Sequence, residues 1–304
     1  MRVLITGATG YIGSRVARRL HAKGHAVVAA VRDEASAARL RDMDVPAEPL
    51  RASLDDTEIL ADAARAADAV VHLAFEHRAN DLAAAVGQDR RVAEAFVEAL
   101  AGTGKCLIGT TATGVVGNTG KVPVGEDHPT EPGYPAAIRR EVEGCYVAAA
   151  RRDVRTAVIR PSILTHSDAL NSVAPRLVSA ARKAGAAHHI GSGENQVTCV
   201  HVDDLADLYV LALEKAPPGR IYNGAGANVA TGDVARWIGR ALELPVASAS
   251  REQAGALWGP FFAMLLALDN RMSNERARAE LGWRPYEATN RLEDDIPLIA
   301  ARLA

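Results

Sequence analysis

A glycine-rich turn near the start of the chain limits its fold more than any other feature. The apolar run RVLIT (2–6) leads into three glycines spaced GxxGxxG, Gly7, Gly10 and Gly13, and then into a helical stretch. Gly7 permits a tight turn, Gly10 lets the backbone approach a pyrophosphate, and Gly13 lets the helix pack on the strand. The strand–turn–helix order therefore predicts a dinucleotide-binding loop, with a plain glycine-rich turn as the alternative.

Strand-like and helix-like segments alternate along the chain. We predict strands at 2–6, 26–31, 69–74, 106–110, 155–160 and 220–225, and helices at 13–23, 58–67, 81–100 and 138–151. This alternation is typical of an α/β protein with a Rossmann-type, doubly wound parallel sheet. We expect 1–165, completed by 196–224, to form the dinucleotide-binding lobe, and 166–195 with 225–304 to form a smaller substrate lobe.

Charge and cysteine content narrow the class of partner. The 304 residues carry a formal net charge of −2, and no basic run gathers into a patch for nucleic acid or a membrane surface. The cysteines Cys106, Cys145 and Cys199 lack metal-ligand or CxxC spacing, so we expect free thiols and no metal. Because Met1 and Arg2 run directly into the first strand and no apolar run is long enough to span a bilayer, we expect a soluble, cytoplasmic protein with a small-molecule substrate.

Five motifs occur in a characteristic order: TGATGYIG at 6–13, VVHLA at 70–74, VIRPS at 158–162, VHVDDLADLYVLALE at 200–214 and LGWRP at 281–285. Together they resemble the extended short-chain dehydrogenase/reductases, also called the NAD-dependent epimerase/dehydratase family. The resemblance implies a nucleotide-binding oxidoreductase scaffold. Its cofactor-binding positions here are Gly7, Thr9, Gly10, Tyr11, Ile12, Gly13, Arg32, Ser53, Leu54, Leu73, Ala74, Thr110 and Arg139.

The end of the second strand bears on the choice between NAD and NADP. An acidic residue there accepts hydrogen bonds from the ribose 2′-hydroxyl, whereas an arginine pairs with a 2′-phosphate. The acidic position of NAD-type family members falls on Val31, and Arg32 follows it. We therefore predict NADP. NAD is the alternative, with Arg32 in solvent and Asp33 on the ribose.

The resemblance also implies a catalytic Ser/Thr with a Tyr-x-x-x-Lys pair, in which the Lys lowers the pKa of the Tyr. This chain departs from that pattern, and its segment GYPAAIRREVEGCY allows two registers. With Tyr134 in the tyrosine position, Ile138 replaces the lysine. With Arg139 in the lysine position, Pro135 replaces the tyrosine.

The usual serine position falls on Ala112, and neighbouring hydroxyl groups are the substitutes we expect. Arg139 would anchor the ribose as a fixed positive charge. His166 is predicted to face the substrate site, and His77 is a second candidate acid of the same type. Tyr134 has the alternative of being a helix-entry residue beside a proline. The predicted catalytic set is Thr111, Thr113, Tyr134, Arg139 and His166.

Three functions are compatible with these residues. They are an NADP-dependent oxidoreductase acting on a small carbonyl or alcohol, a sugar-nucleotide epimerase or dehydratase that retains NAD, and a non-catalytic NAD(P)-binding sensor. The first is favoured because several hydroxyl groups and Arg139 remain to polarise a carbonyl. Family members commonly pack two subunits through helices at the places of 81–100 and 138–151, so we also predict a homodimer.

Overall fold

The computed structural model describes residues 1–43, 45–76, 81–286 and 291–304. Its strands are β1 (Arg2–Thr6), β2 (Ala26–Val31), β3 (Ala47–Arg51), β4 (Ala69–His72), β5 (Cys106–Thr110), β6 (Arg155–Pro161), β7 (Leu164–His166), β8 (Ala187–Ile190), β9 (Gln196–His201), β10 (Arg220–Gly224), β11 (Ala227–Ala230) and β12 (Val246–Ala249). Its α-helices are α1 (Tyr11–Ala22), α2 (Glu34–Arg41), α3 (Thr57–Ala66), α4 (Leu82–Leu100), α5 (Arg140–Ala149), α6 (Val173–Ala184), α7 (Val202–Lys215), α8 (Thr231–Leu242), α9 (Arg251–Trp258), α10 (Pro260–Leu266) and α11 (Leu292–Arg302).

A parallel sheet of seven strands forms the centre of the described chain, in the order β10-β6-β5-β4-β1-β2-β3. The chain builds outward from β1 through β2 to β3 and then returns to the other side of β1 as β4. A doubly wound sheet opens a crevice at the carboxyl ends of its strands where the order reverses in this way. The predicted Rossmann-type fold is therefore confirmed, and the reversal lies between β1 and β4.

The strands of this sheet are apolar on both faces because helices cover both. Val3 and Ile5 pack with α1 and α7 on one face, and Leu4 packs with α3, α4 and α5 on the other. Side chains alternate between the faces of a strand, so a run without polar residues is what a sheet buried on both sides requires. This burial fixes the strand ends that carry the site.

Two elements of the sheet layer were absent from the sequence prediction. Strand β3 (AEPLR) is an edge strand with a Pro and mostly partly or fully exposed side chains, so it lacks the apolar run of an inner strand. Helix α2 is short and its hydrophobic side is weak. The predicted strand 69–74 ends at His72, because the amides of Leu73 and Ala74 turn to the Thr6 hydroxyl, both at 3.2 Å.

The smaller lobe has its own core beside the carboxyl edge of the sheet. Its strands are β7, β9 and β11 in one sheet and β8 and β12 in another, and its core includes side chains of α6, α8, α9, α10 and α11. Residues 277–283, which we assigned to this lobe, instead place Ala277, Leu281 and Trp283 in the core of the larger lobe with α7. Within the described residues, no helix combines the length and apolar character of a membrane span.

Candidate functional site

A cleft of about 640 Å³ opens at the carboxyl ends of β1, β4 and β5, between the two lobes. Every residue that we predicted to bind cofactor lines it, and so does the predicted catalytic Thr111. The lining residues from that prediction are Gly7, Thr9, Gly10, Tyr11, Ile12, Gly13, Arg32, Ser53, Leu54, Leu73, Ala74, Thr110 and Arg139. The structure thus brings together on one continuous surface residues that are far apart in the sequence.

The glycine turn between β1 and α1 is closed to side chains at two of its glycines. Gly7 has a φ of +74°, and a Cβ there would lie 2.9 Å from the Ala74 amide nitrogen. A Cβ on Gly13 would lie 2.0 Å from the Gly7 carbonyl oxygen. Because these glycines carry no side chain, the backbone of the turn faces the cleft directly. The N-terminus of α1 faces the cleft as well, and its first turn holds no acidic residue. This cradle fits a pyrophosphate.

The wall at the end of β2 is basic. Arg32, Ser36 and Arg39 line it, and Arg39 Nη2 donates to Ser36 Oγ at 2.9 Å. Asp33 is instead the N-cap of α2: its carboxylate accepts from the Ser36 amide and hydroxyl, both at 2.6 Å, and these bonds lower its pKa to about 2. Asp33 does not line the cleft. Sequence reasoning missed Ser36 and Arg39, because the helix α2 that places them at i, i+3 on one face was not predicted.

Ser53 stands at the far end of this wall. Its hydroxyl donates to Asp56 Oδ2 at 2.7 Å, and the Ser53 amide donates to the same oxygen at 2.8 Å. The hydroxyl oxygen therefore faces a ligand only as a hydrogen-bond acceptor. An adenine amino group is a suitable donor for it.

Arg139 is the buried cation of the cleft. It ends a short helical turn (Pro135–Arg139) before α5, and its Nη1 and Nη2 donate to the carbonyl oxygens of Thr111 and Thr110, each at 3.2 Å. Its guanidinium lies 4.0 Å from the centre of the Phe75 ring. Burial lowers the pKa of Arg139, while the nearby carboxylate of Asp89 acts to raise it. The neighbouring Ile138 is partly buried and packs against the core of the larger lobe, so Arg139 is the residue of this pair that lines the cleft.

A series of buried polar side chains fixes the position of Arg139. Asp89 Oδ2 lies 3.5 Å from Arg139 Nη2, and Asp89 Oδ1 lies 3.1 Å from His72 Nε2. His72 Nδ1 lies 2.6 Å from the Thr6 hydroxyl, whose oxygen already accepts two backbone amides. The Thr6 hydroxyl therefore donates its proton to Nδ1 of His72. The proton of the neutral ring is then on Nε2, which donates to Asp89. The result is an aspartate fixed between a histidine and the cleft arginine.

A second buried network lies behind Thr111. Its hydroxyl donates to Glu143 Oε1 at 2.7 Å. The fully buried Arg160 donates to both oxygens of Glu143, from Nε at 2.7 Å and from Nη2 at 2.6 Å. Because the Arg160 fork compensates the Glu143 charge, Thr111 can turn its proton toward the cleft without leaving that carboxylate unpaired.

Three residues of the predicted catalytic set lie outside the cleft lining. Thr113 is fully buried, with its hydroxyl 2.7 Å from that of Thr198. Tyr134 lies in the core of the smaller lobe, where burial raises the pKa of its hydroxyl. His166 is buried, with Nδ1 2.6 Å from Asp295 Oδ2, so it faces α11 and not the substrate. His77 lies outside the described residues.

Removing the hydroxyl of Tyr134 therefore tests the placement of the site. We expect Tyr134→Phe to leave kcat and KM for the cofactor within about twofold of the wild-type values, because this hydroxyl does not reach the cleft. Steady-state kinetics on any accepted substrate provides the check. A loss of on the order of a hundredfold, typical of a removed general acid, would place the tyrosine back in the active site.

The substrate end of the cleft is built mostly from segments that the sequence assigned to the substrate lobe, although no role was predicted there for single residues such as Arg176. Aromatic, aliphatic and small polar side chains line this end, together with the cation Arg176. No short-range pattern links these residues, because β6, β7, α6 and α10 meet only in the folded chain. They include Ser162, Thr165, Asn171, Ser172, Arg176, Phe261, Phe262 and Leu265.

Comparison with known proteins identifies related sequences and folds. The sequence model of the NAD dependent epimerase/dehydratase family matches residues 3–225. The chain is 35% identical over 290 residues to an uncharacterized protein, C2A9.02, of Schizosaccharomyces pombe, covering 95% of this chain and 96% of the relative. It is 30% identical to a UDP-glucose 4-epimerase of Mycolicibacterium smegmatis, covering 95% of each chain. Among solved structures, the dTDP-glucose 4,6-dehydratase DesIV of Streptomyces venezuelae, with NAD and TYD bound, superposes with a TM-score of 0.78 at 20% identity over 99% of this chain and 96% of that one.

Proposed function

Since the chain belongs to the NAD-dependent epimerase/dehydratase family, we propose that it is an NADPH-linked oxidoreductase acting on a small carbonyl or alcohol substrate. The observation that carries the proposal is the single continuous cleft. It joins the glycine turn and the basic wall of Arg32 and Arg39 to a substrate end where Thr111 and Arg139 lie together. A hydride carrier and a carbonyl would share that space.

The cofactor residues fit NADP. The turn from Gly7 to Gly13 would hold the pyrophosphate, and Arg32 with Arg39 would hold the 2′-phosphate. Asp33 is committed to capping α2 and offers no ribose contact in the cleft. When bound, the nicotinamide supplies or accepts the hydride.

The chain's own residues would act on the substrate oxygen. Arg139 keeps its proton, so it would stabilise negative charge on that oxygen as it develops, without transferring a proton. Thr111 Oγ1 would donate a hydrogen bond to the same oxygen, with Glu143 remaining paired to Arg160. The alkoxide left by hydride transfer would take its proton from solvent water at the open cleft, and in the oxidation direction the alcohol would return that proton to water. Asp89 would keep the guanidinium in place through both directions of the reaction.

The similarity to a UDP-glucose 4-epimerase favours a second candidate, an epimerase that retains NAD through a transient oxidation. That chemistry, like the proposed reductase, needs a proton acceptor at the substrate oxygen, so the two candidates differ in how the cofactor is held. Of the tyrosines in the described residues, only Tyr11 lines the cleft, and its hydroxyl lies 2.9 Å from Ser167 Oγ. Tightly held NAD in the purified protein would favour the epimerase; reversible NADPH binding favours the reductase.

The proposal is tested by NADPH consumption with a panel of aldehydes and ketones, comparing wild type with Thr111→Val. We expect consumption by the wild type and a fall in kcat on the order of 10- to 100-fold in the variant, because a donor to the developing alkoxide is lost. NADPH affinity should change little. The matched control is Thr113→Val, which removes a neighbouring hydroxyl that faces the core.

Two results would count against the proposal. Binding of NADPH without turnover on any carbonyl would favour the sensor hypothesis. Full activity of Thr111→Val would remove this hydroxyl from the mechanism, and the Arg139 guanidinium would remain as the one predicted donor to the oxygen.

A further inference from the structure

The substrate end of the cleft carries a cation that the proposed function leaves unused. Arg176 lies in the first turn of α6, and its guanidinium carbon stands 4.5 Å from the centre of the Phe262 ring. Both residues line the cleft. Arg176 is exposed to solvent at the cleft, and within the described residues its side chain contacts this ring.

The other arginines of the cleft have polar partners of their own. Arg139 has Asp89 at 3.5 Å, Arg32 Nε has Asp33 at 3.2 Å, and Arg39 donates to Ser36 at 2.9 Å. Arg32 and Arg39 also lie at the opposite end, beside β2. The lining holds four arginines against the acidic Glu76, and the carboxylates of Asp33 and Asp89 behind the lining offset two of them, so the balance of charge remains positive. Such a field attracts an anionic ligand.

The position of Arg176 in its helix has an electrostatic cost. The first turn of α6 contains no acidic residue, and its N-cap Ser172 forms no side-chain capping bond. Because the N-terminus of a helix carries a partial positive charge, a cation in the first turn is disfavoured there. A bound anion beside Arg176 would offset this cost. Residues that go against the usual preference for their position in a helix are typical of functional sites.

The lining of the cleft at this end combines apolar and small polar side chains. Phe261, Phe262 and Leu265 come from α10, and Ile163 belongs to the core of the smaller lobe. Thr165, Asn171 and Ser172 add polar groups to the same lining. Aromatic and aliphatic walls with one polar group that fixes orientation are typical of small-molecule pockets. A guanidinium stacked on a ring presents a planar fork that matches a carboxylate.

We propose, on the basis of the proposed function, that the substrate is an apolar carboxylate bearing the reactive carbonyl or alcohol, and that Arg176 binds its carboxylate. The apolar walls hold the body of the molecule while the reactive oxygen meets Thr111 and Arg139. Arg176 then determines specificity: it selects acids over the corresponding neutral compounds.

The test measures binding, so it does not depend on turnover. Protein saturated with NADPH is titrated by calorimetry with benzoate, phenylacetate, cinnamate and octanoate, each paired with its amide. The wild-type protein should bind at least one of these acids on the order of tenfold more tightly than the matching amide, because the acid forms one more charge-assisted hydrogen bond. Arg176→Gln should abolish this preference without changing amide affinity, and Arg176→Lys should restore part of it. Lys183→Gln, at the exposed end of the same helix, is the matched control and should behave as wild type.

Several outcomes would overturn the inference. They are equal affinity of wild type for every acid and its amide, absence of binding by all four pairs, or a preference that survives in Arg176→Gln. A loss of NADPH affinity in Arg176→Gln, with the acid preference intact, would assign the arginine to a cofactor phosphate. Conversely, a preference that depends on Arg176 in a protein that reduces no carbonyl would refute the proposed function, and only the part of this inference that assigns carboxylate binding to Arg176 would stand.

Discussion

Replacing Arg139 with alanine is expected to lower the free energy of unfolding by about 3–5 kcal/mol, because it leaves Asp89 as a buried, uncompensated charge. The Asp89 side chain is 2% exposed, and its other neighbour is His72, which is equally buried. Denaturant unfolding followed by circular dichroism measures the loss. NADPH binding should weaken in the same variant, since the guanidinium faces the cleft.

The partner substitution separates the charge effect from the loss of packing. The double variant Arg139→Ala, Asp89→Asn should recover part of the lost stability, because no buried charge then remains unpaired. Arg90→Ala removes an exposed arginine that pairs with Glu94 and should change stability by less than about 1 kcal/mol. If Arg139→Ala were as stable as Arg90→Ala, the buried network under the site would not hold the structure as we describe.

Replacing Arg32 and Arg39 together with glutamine is expected to weaken NADPH binding on the order of 100-fold and NADH binding by less than about threefold. Each arginine would contribute a charge-assisted bond to the 2′-phosphate, worth on the order of tenfold at an exposed site. The phosphate is the only group that distinguishes the two cofactors, so the effect should appear in their ratio. Titration of both cofactors by fluorescence measures it.

Arg41→Gln is the matched control for this pair. Arg41 is an exposed arginine on the same helix, α2, paired with Glu34 and outside the cleft lining. It should leave both affinities unchanged. An equal loss of NADPH and NADH affinity in the Arg32, Arg39 double variant would show that these residues hold the adenosine without reading the phosphate.

The cofactor half of the site was predictable from sequence because its determinants are local. The glycine spacing, the strand before it and the helix after it lie within one short segment, and each residue's place follows from backbone sterics. Arg32 follows a strand whose end could be located from its apolar run. Arg39 was missed because α2 has too weak an amphipathic pattern to be recognised as a helix.

The catalytic half was less predictable, for two different physical reasons. On β7, Thr165 lines the cleft and His166 is its neighbour in the strand, so the alternation of side chains turns His166 to the other face. The alternation could not be used from sequence, because β7 has three residues and was not among the predicted strands. By contrast, no local rule decides that Thr111 reaches the cleft while Thr113 bonds Thr198, which is distant in the chain.

The substrate end depends on contacts between segments far apart in sequence. Arg176 and Phe262 belong to different helices, and only the folded smaller lobe brings the guanidinium over the ring. The sequence pattern of α6 indicates a helix with an apolar face. It does not show which side chains of other helices contact its first turn. Such residues become visible only once both lobes are in place.

The most direct test of this account is a calorimetric titration of the purified wild-type protein with NADPH and with NADH at equal ionic strength. We expect saturable binding of NADPH at one site per chain, on the order of tenfold or more tighter than NADH, because Arg32 and Arg39 line the wall where we propose that the 2′-phosphate binds. Absence of binding by either cofactor, or tighter binding of NADH, would contradict the account of this cleft.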